Sequence, residues 1–295
     1  MSAIDPRDAI TNPTVCYRHP NKETGIRCQR CDRHVCSECR HQASVGVHCL
    51  ECAKGAGTQK IYNTRNLPGS QGLVTRGLVG ANVAIFILTI VAFDATLDHA
   101  GTVGVDYGTW GLAIWESQEF WRLVSGGFLH SGVMHIGFNM YLLWQLGLQM
   151  ERVVGPIRFG VIYLTSLLGG SFGAVLLDPH LPAVGASGAV FGLIGYTVFL
   201  YRSRGIGLFD TGLGFLIVIN VLLSFRGGVS LGGHGGGLLT GFLLGVLFYG
   251  AGVGLKPMIK GERLQLAVCA ALSVVLFVAA VFASSRALSL FVLES

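Results

Sequence analysis

Beyond residue 72 the chain is a succession of apolar segments, each long enough to cross a lipid bilayer, and no other feature limits its fold as strongly. The segments fall at roughly 75–93, 129–150, 157–177, 185–201, 207–225, 230–250 and 264–283, from the run lengths expected of spanning helices. In hydrocarbon every backbone N–H and C=O must be satisfied within its own segment, so seven apolar runs predict seven helices. Composition agrees: of 295 residues, 51% are hydrophobic and 13% charged, with mean hydropathy +0.58. A soluble domain runs near a quarter charged. The expectation for this part is an all-α polytopic membrane domain.

The charges set the orientation. With the N-terminus inside, the inner connections hold Arg65, Arg76, Arg152, Arg158, Arg202, Arg204, Lys256, Lys260 and Arg263. The outer ones hold Arg122, Arg226 and Arg286. Nine against three places the N-terminus in the cytoplasm and the C-terminus outside a cell membrane crossed several times. The net charge of +5 is thus topological, and a nucleic-acid partner is not expected. The first twelve residues hold charge and no apolar run, so no signal peptide is expected. The first outer connection, 94–128, carries Asp94, Asp98, Asp106, Glu116 and Glu119, with Tyr107, Trp110, Trp115, Phe120 and Trp121 suited to the membrane interface.

Two segments each hold one reactive side chain among small residues: Ser187 in Gly185-Ala186-Ser187-Gly188, and His234 in Gly232-Gly233-His234-Gly235-Gly236-Gly237. Both helices enter from the outer side, so the two groups should lie at one depth, about one to two turns below the surface. A serine and a histidine together make a nucleophile and its general base. The sixth helix has a four-residue ladder, Gly233, Gly237, Gly241 and Gly245, and the fourth offers Gly188, Gly192 and Gly195. Such stripes let helices pack closely enough for the imidazole to reach the serine, although ordinary helix packing would also use them. The second helix reads as beginning at His130, with His135 and Asn139 four apart on one face. Both can donate hydrogen bonds to developing negative charge, as acyl transfer requires. The bland alternative is a pair of interhelical hydrogen-bonding residues.

Taken together these residues resemble the rhomboid family of intramembrane serine proteases, over roughly 70–285 by the span of the matching motifs, in the form with a six-helix core and one further C-terminal transmembrane helix. Trp121-Arg122 is similar to that family's motif in the first outer loop. His130, His135 and Asn139 match its His-x4-His-x3-Asn pattern, and Glu151 with Gly155 the end of the same helix. The resemblance implies Ser187 as nucleophile and His234 as base. It also implies oxyanion contacts from His135, Asn139 and the Ser187 N–H, with His130 in support. Many relatives carry tyrosine four residues after the serine. Here the position is Phe191, which keeps an aromatic face and lacks the phenol hydroxyl. No carboxylate joins the pair, since Asp178 and Asp210 sit in connections, so the site reads as a dyad.

Residues 13–54 form a separate unit, joined by a linker at 55–72 to the transmembrane domain at 73–285. Four pairs recur with two residues between members: Cys16/His19, Cys28/Cys31, Cys36/Cys39 and Cys49/Cys52. Eight ligands make two tetrahedral zinc sites. The short gap between the second and third pairs favours interleaving: first with third, second with fourth. The layout is similar to the cross-brace of B-box zinc fingers. His34, His41 and His48 are spare, and His48 is an alternative to Cys49. A disulfide framework would need an oxidising compartment, which the cytoplasmic placement denies. All eight positions are filled without a water site, so these zinc ions would be structural and the surface offered to a cytoplasmic protein partner. Cys269 reads as a small apolar residue in the last helix.

The expected activity is cleavage of transmembrane segments of membrane-protein substrates, with the lipid bilayer as second partner and no cofactor in the chemistry. The alternative within the same fold is a catalytically silent scaffold that binds transmembrane helices. A membrane-anchored ubiquitin-ligase-like protein would leave Ser187, His234 and Asn139 without purpose. A transporter would usually show charged residues in mid-helix, and these spans show almost none.

Overall fold

The computed structural model describes residues 15–42, 46–54, 72–93, 95–223, 229–250 and 256–287. The linker (apart from Gly72), Arg65, Asp94 and Arg226 fall outside them. The chain divides into two compact units, 1–68 and 69–295.

The first unit holds two antiparallel strand pairs and one short helix. β1 (Val15–Cys16) pairs with β2 (His19–Glu23), and β3 (Arg40–Gln42) with β4 (Val47–Cys49), followed by α1 (Leu50–Lys54). Its buried centre is Cys16, Cys28, Cys36, Cys39 and Cys49 with a single aliphatic residue, Val35. So small a core cannot repay the entropy of ordering the chain without covalent or metal cross-links.

The second unit is helical. α2 (Leu73–Ala92) leads into three short helices, α3 (Val103–Tyr107), α4 (Gly111–Glu116) and α5 (Arg122–Ser125). Then come α6 (Val133–Val154), α7 (Pro156–Leu177), α8 (Ser187–Ser203), α9 (Leu213–Leu223), α10 (Leu231–Tyr249) and α11 (Glu262–Ser284). Each of the seven expected segments has its helix, and the protein is a polytopic helical membrane protein. Among the described residues α2, α7, α10 and α11 are long and apolar enough to cross a membrane. α2 and α11 are only 22% and 17% buried, so their Ile87, Leu88, Val91, Val274, Val275 and Phe282 form the apolar coat. α8 has 17 residues, about 25 Å of helix and shorter than the ~30 Å hydrocarbon core. It tolerates this because it is the inner helix: from Ala189 to Leu200 every residue but Val198 is buried.

Two boundaries differ from the sequence expectation. The second spanning helix starts at Val133, so His130 and Ser131 precede it. Gly132 is the cause: its φ of +118° breaks the helix, and a Cβ there would lie 2.9 Å from the Leu97 carbonyl oxygen. Val133 N–H donates to that same carbonyl at 2.7 Å, so the start of α6 and the connection that follows α2 are tied together. The fifth helix is split by Gly212 (φ +71°) into a 3-10 turn, Phe209–Thr211, and α9.

Glu151 has a role that the pattern did not reveal. Fully buried on α6, it accepts from Val74 N–H (3.1 Å), Thr75 N–H (2.9 Å) and Thr75 Oγ1–H (2.7 Å). A carboxylate from one helix thereby caps the N-terminus of another, satisfying donors that α2 leaves open. Gly155, at φ +88°, and Pro156 at the first helical position of α7 then turn the chain sharply from α6 into α7.

Candidate active site and candidate metal centres

The approach of the helices that carry Ser187 and His234 is decided by glycine. A Cβ on Gly237 would lie 1.9 Å from the Gly188 carbonyl oxygen, and one on Gly241 1.8 Å from that of Gly192. The ladder on α10 therefore faces α8, with backbone against backbone. A second stripe, unnoticed in the sequence reading, lies on the adjacent face. Gly232 and Gly236 meet the carbonyls of Gly173 and Gly169 on α7, each at 2.2 Å from a hypothetical Cβ. Gly169, Gly170 and Gly173 repeat at helical spacing, and that was the available signal. At one level the three backbones converge: a Cβ on Gly170 would sit 2.9 Å from Gly188 Cα and 3.1 Å from the Gly233 oxygen. Gly188 follows Ser187 and Gly233 precedes His234, so this junction sets both residues.

His234 lies in the first turn of α10, whose N-cap is Ser230; the Ser230 side chain accepts from Gly233 N–H at 3.0 Å. Its imidazole stacks on the Phe191 ring, centroids 4.1 Å apart and planes 16° from parallel. Phe191 is four residues after Ser187 on α8, hence on the same helical face. The aromatic platform is present without the hydroxyl.

Ser187 is the first residue of α8 and half-buried. Gly185 before it has φ +125°, and its N–H donates to the Gly126 carbonyl at 2.9 Å. A Cβ on Gly185 would lie 2.7 Å from His135 Nε2 and 3.6 Å from Ser187 Oγ, so glycine here leaves room for both groups around one point. His135 Nδ1 accepts from Ser131 N–H at 3.4 Å and lies 3.0 Å from Ser131 Oγ. A nitrogen that accepts carries no proton, so in the neutral ring the proton is on Nε2, the atom beside Gly185. Asn139 is buried and donates from Nδ2 to the His135 carbonyl at 3.0 Å, using one of its two amide hydrogens. His130 is buried in the segment ahead of α6. Its Nε2 accepts from Ala186 N–H at 3.5 Å, and its ring lies edge-on to His135, centroids 5.1 Å apart.

The connection between α2 and α6 is built around Arg122. The buried guanidinium donates to the carbonyls of Val105 (2.6 Å) and Gly108 (3.2 Å) and pairs with Glu119. Thr109 exchanges backbone hydrogen bonds with Ala183, two residues before Gly185. Arg122 thus braces the loop that borders Ser187.

In the other unit, the ligand atoms of Cys16, His19, Cys36 and Cys39 lie within 4.8 Å of one another, as do those of Cys28, Cys31, Cys49 and Cys52. Each group could hold a metal ion. Tetrahedral zinc, with Zn–S near 2.3 Å and Zn–N near 2.0 Å, needs ligand atoms about 3.8 Å (S–S) and about 3.5 Å (S–N) apart. The distances fit: Cys31 Sγ to Cys49 Sγ is 3.7 Å, and His19 Nδ1 is 3.9, 3.4 and 3.3 Å from the sulfurs of Cys16, Cys36 and Cys39. Cys49 belongs to the second group, while its neighbour His48 pairs with His41 across β3 and β4. The Arg33 guanidinium, 3.3 Å from Cys31, holds that thiol below its ordinary pKa and favours the metal-binding thiolate. Cys269 is buried in α11.

Residues 117–251 match the family model for the Rhomboid domain. The chain is 38% identical over 155 residues to "Rhomboid protease GluP" of Bacillus subtilis (strain 168), covering 51% of this chain and 29% of that protein. It is 40% identical over 159 residues to "RHOMBOID-like protein 2" of Arabidopsis thaliana, covering 52% and 48%. It is also 39% identical over 101 residues to "Inactive RHOMBOID-like protein 8" of the same plant, covering 34% and 27%. The chain spans less than half the length of these relatives.

Proposed function

Since residues 117–251 of this membrane protein carry a Rhomboid domain, we propose that the chain is an intramembrane serine endopeptidase acting through a Ser187–His234 dyad on transmembrane segments of membrane proteins. The observation that carries this reading is the seating of His234 on Phe191, one turn beyond Ser187, at a junction where only glycine backbones separate the two helices.

The chemistry follows from the groups present. Ser187 Oγ attacks the peptide carbonyl as His234 takes its proton. Negative charge gathers on the carbonyl oxygen, and three donors suit it: Ser187 N–H at the N-terminus of α8, His135 Nε2–H, and the second amide hydrogen of Asn139. His234 then returns the proton to the departing amine, leaving an ester on Ser187 that water hydrolyses. His130 holds the chain at Ala186 and so positions the serine. Stacking on Phe191 orients the imidazole for this exchange. A helical peptide bond is hidden within its own hydrogen bonds, so a substrate must unwind locally to reach Ser187.

The two Cys/His groups are assigned to two structural zinc ions, on the fit of their ligand spacing. Zinc would supply the cross-links that the small core of residues 15–54 lacks. The charge asymmetry of the connections supports a cell-membrane location with the zinc unit in the cytoplasm, where it can engage a protein partner. The matched inactive plant protein favours a second reading, a silent helix-binding scaffold. Labelling with a fluorophosphonate separates the two: wild type should be labelled and Ser187→Ala should not. Equal labelling of both, or none of either, would remove the protease reading.

A further inference from the structure

At the end of α8 farthest from Ser187, a cavity of about 310 Å³ opens between α6 and α8. A glycine turn creates it. Gly205 (φ +69°) donates to the Arg202 carbonyl at 3.1 Å, and Ile206 N–H reaches back to the Tyr201 carbonyl at 3.0 Å. These two bonds form the Schellman closure of a helix, and they fold Ile206 back over the last turn of α8. Leu146, Val153, Leu200 and Ile206 supply apolar wall, and Tyr201 donates to Gln149 across the seam.

Arg152 from α6 and Arg204 from α8 complete the lining. Both are exposed, and among the described residues neither forms a side-chain ion pair. Asp210, the closest acid in sequence to Arg204, accepts from Gly207 N–H at 3.1 Å. Both helices present their C-terminal ends here, whose partial charge is negative, so an anion would have to be held by the guanidiniums themselves. Each can offer two parallel N–H donors to a phosphate. A cleft with apolar walls and two cations that no described acid neutralises, set between helix ends of a membrane protein, suits a ligand that is both anionic and alkyl.

We propose that this cleft binds an anionic phospholipid, its phosphate between Arg152 and Arg204 and part of an acyl chain against Val153, Leu200 and Ile206. A free phosphate uses only the arginines, and a zwitterionic lipid adds a cation that these arginines repel. Bound there, the lipid would tie α6 to α8, the helices that carry Asn139 and Ser187 at their other ends. The site stands on its own geometry and does not depend on the protease reading.

The test titrates the full chain with phosphatidylglycerol or phosphatidylcholine in neutral detergent and reads bound lipid by native mass spectrometry. Phosphatidylglycerol should bind at least tenfold tighter. Arg152→Gln with Arg204→Gln should abolish that preference, and the paired Lys variants should retain part of it. Val153→Phe, which fills the cleft and keeps both cations, should also weaken phosphatidylglycerol tenfold. An unchanged melting temperature in each variant shows that the fold is intact. Equal affinity of wild type for the two lipids, a preference surviving in the double Gln variant, or displacement by millimolar inorganic phosphate would each overturn the assignment.

Discussion

Gly237→Ala adds one methyl group at the point where α10 touches α8. Its Cβ would stand 1.9 Å from the Gly188 carbonyl oxygen and 2.7 Å from the Gly188 carbonyl carbon. Both partners are backbone, so no side chain can rotate aside. Ordinary contact needs more than 3 Å, so the two helices must part locally by about 1 Å, a shift of the size that can cost a catalytic pair about a hundredfold in rate. Overpacking of this kind also costs about 1–3 kcal/mol of stability. The assay is the rate of fluorophosphonate labelling of Ser187, measured with the melting temperature in the same detergent. Gly235→Ala on the same helix is the control, since a Cβ there meets nothing within 4 Å. It should gain up to about 1 kcal/mol from helix propensity and label normally. Gly237→Ala labelling at the wild-type rate with an unchanged melting temperature would refute the idea that this crossing sets the distance between His234 and Ser187.

Ser187→Ala and His234→Ala should each abolish cleavage of a helical substrate, with the double variant no worse than either single one; additive losses would show that they do not act as a unit. Asn139→Ala should lose roughly 2–4 kcal/mol of transition-state stabilisation, read as a fall in kcat, and an unchanged kcat would leave its bond to the His135 carbonyl as its sole role. Glu151→Gln replaces an acceptor shared by three donors on Val74 and Thr75. It should destabilise the membrane unit by about 1.5–3 kcal/mol in thermal unfolding. Elemental analysis of the purified chain should find two zinc ions, one of them lost in Cys36→Ser and the other in Cys49→Ser; a content of zero or one in wild type would sink the eight-ligand assignment.

The periodic features of this protein were legible in its sequence because each is a local consequence of chain physics. Hydrocarbon obliges apolar runs to be helices, so seven segments could be counted. The four Cys/His pairs could be sorted into two interleaved groups because a tetrahedral ion needs four ligands and short loops limit which pairs can meet. The glycine ladder at Gly237 and Gly241 announced a close helix contact without naming the carbonyls it would meet.

What the tertiary structure alone decided were matters of partner and position. Gly132 ends the connection from α2 and starts α6 because its backbone angle and the Leu97 carbonyl admit no side chain, and this moves His130 off the helix. Glu151 looked like a residue at the end of a spanning helix, yet its carboxylate caps α2, a contact across 76 residues that no local pattern encodes. The contact of the second glycine stripe with α7, the brace at Arg122 and the cleft behind Gly205 likewise exist only once separate segments are packed. Helix formation is fixed by neighbours a few residues apart, whereas which glycine meets which carbonyl depends on how three helices cross, and at that crossing the relation of Ser187 to His234 is set.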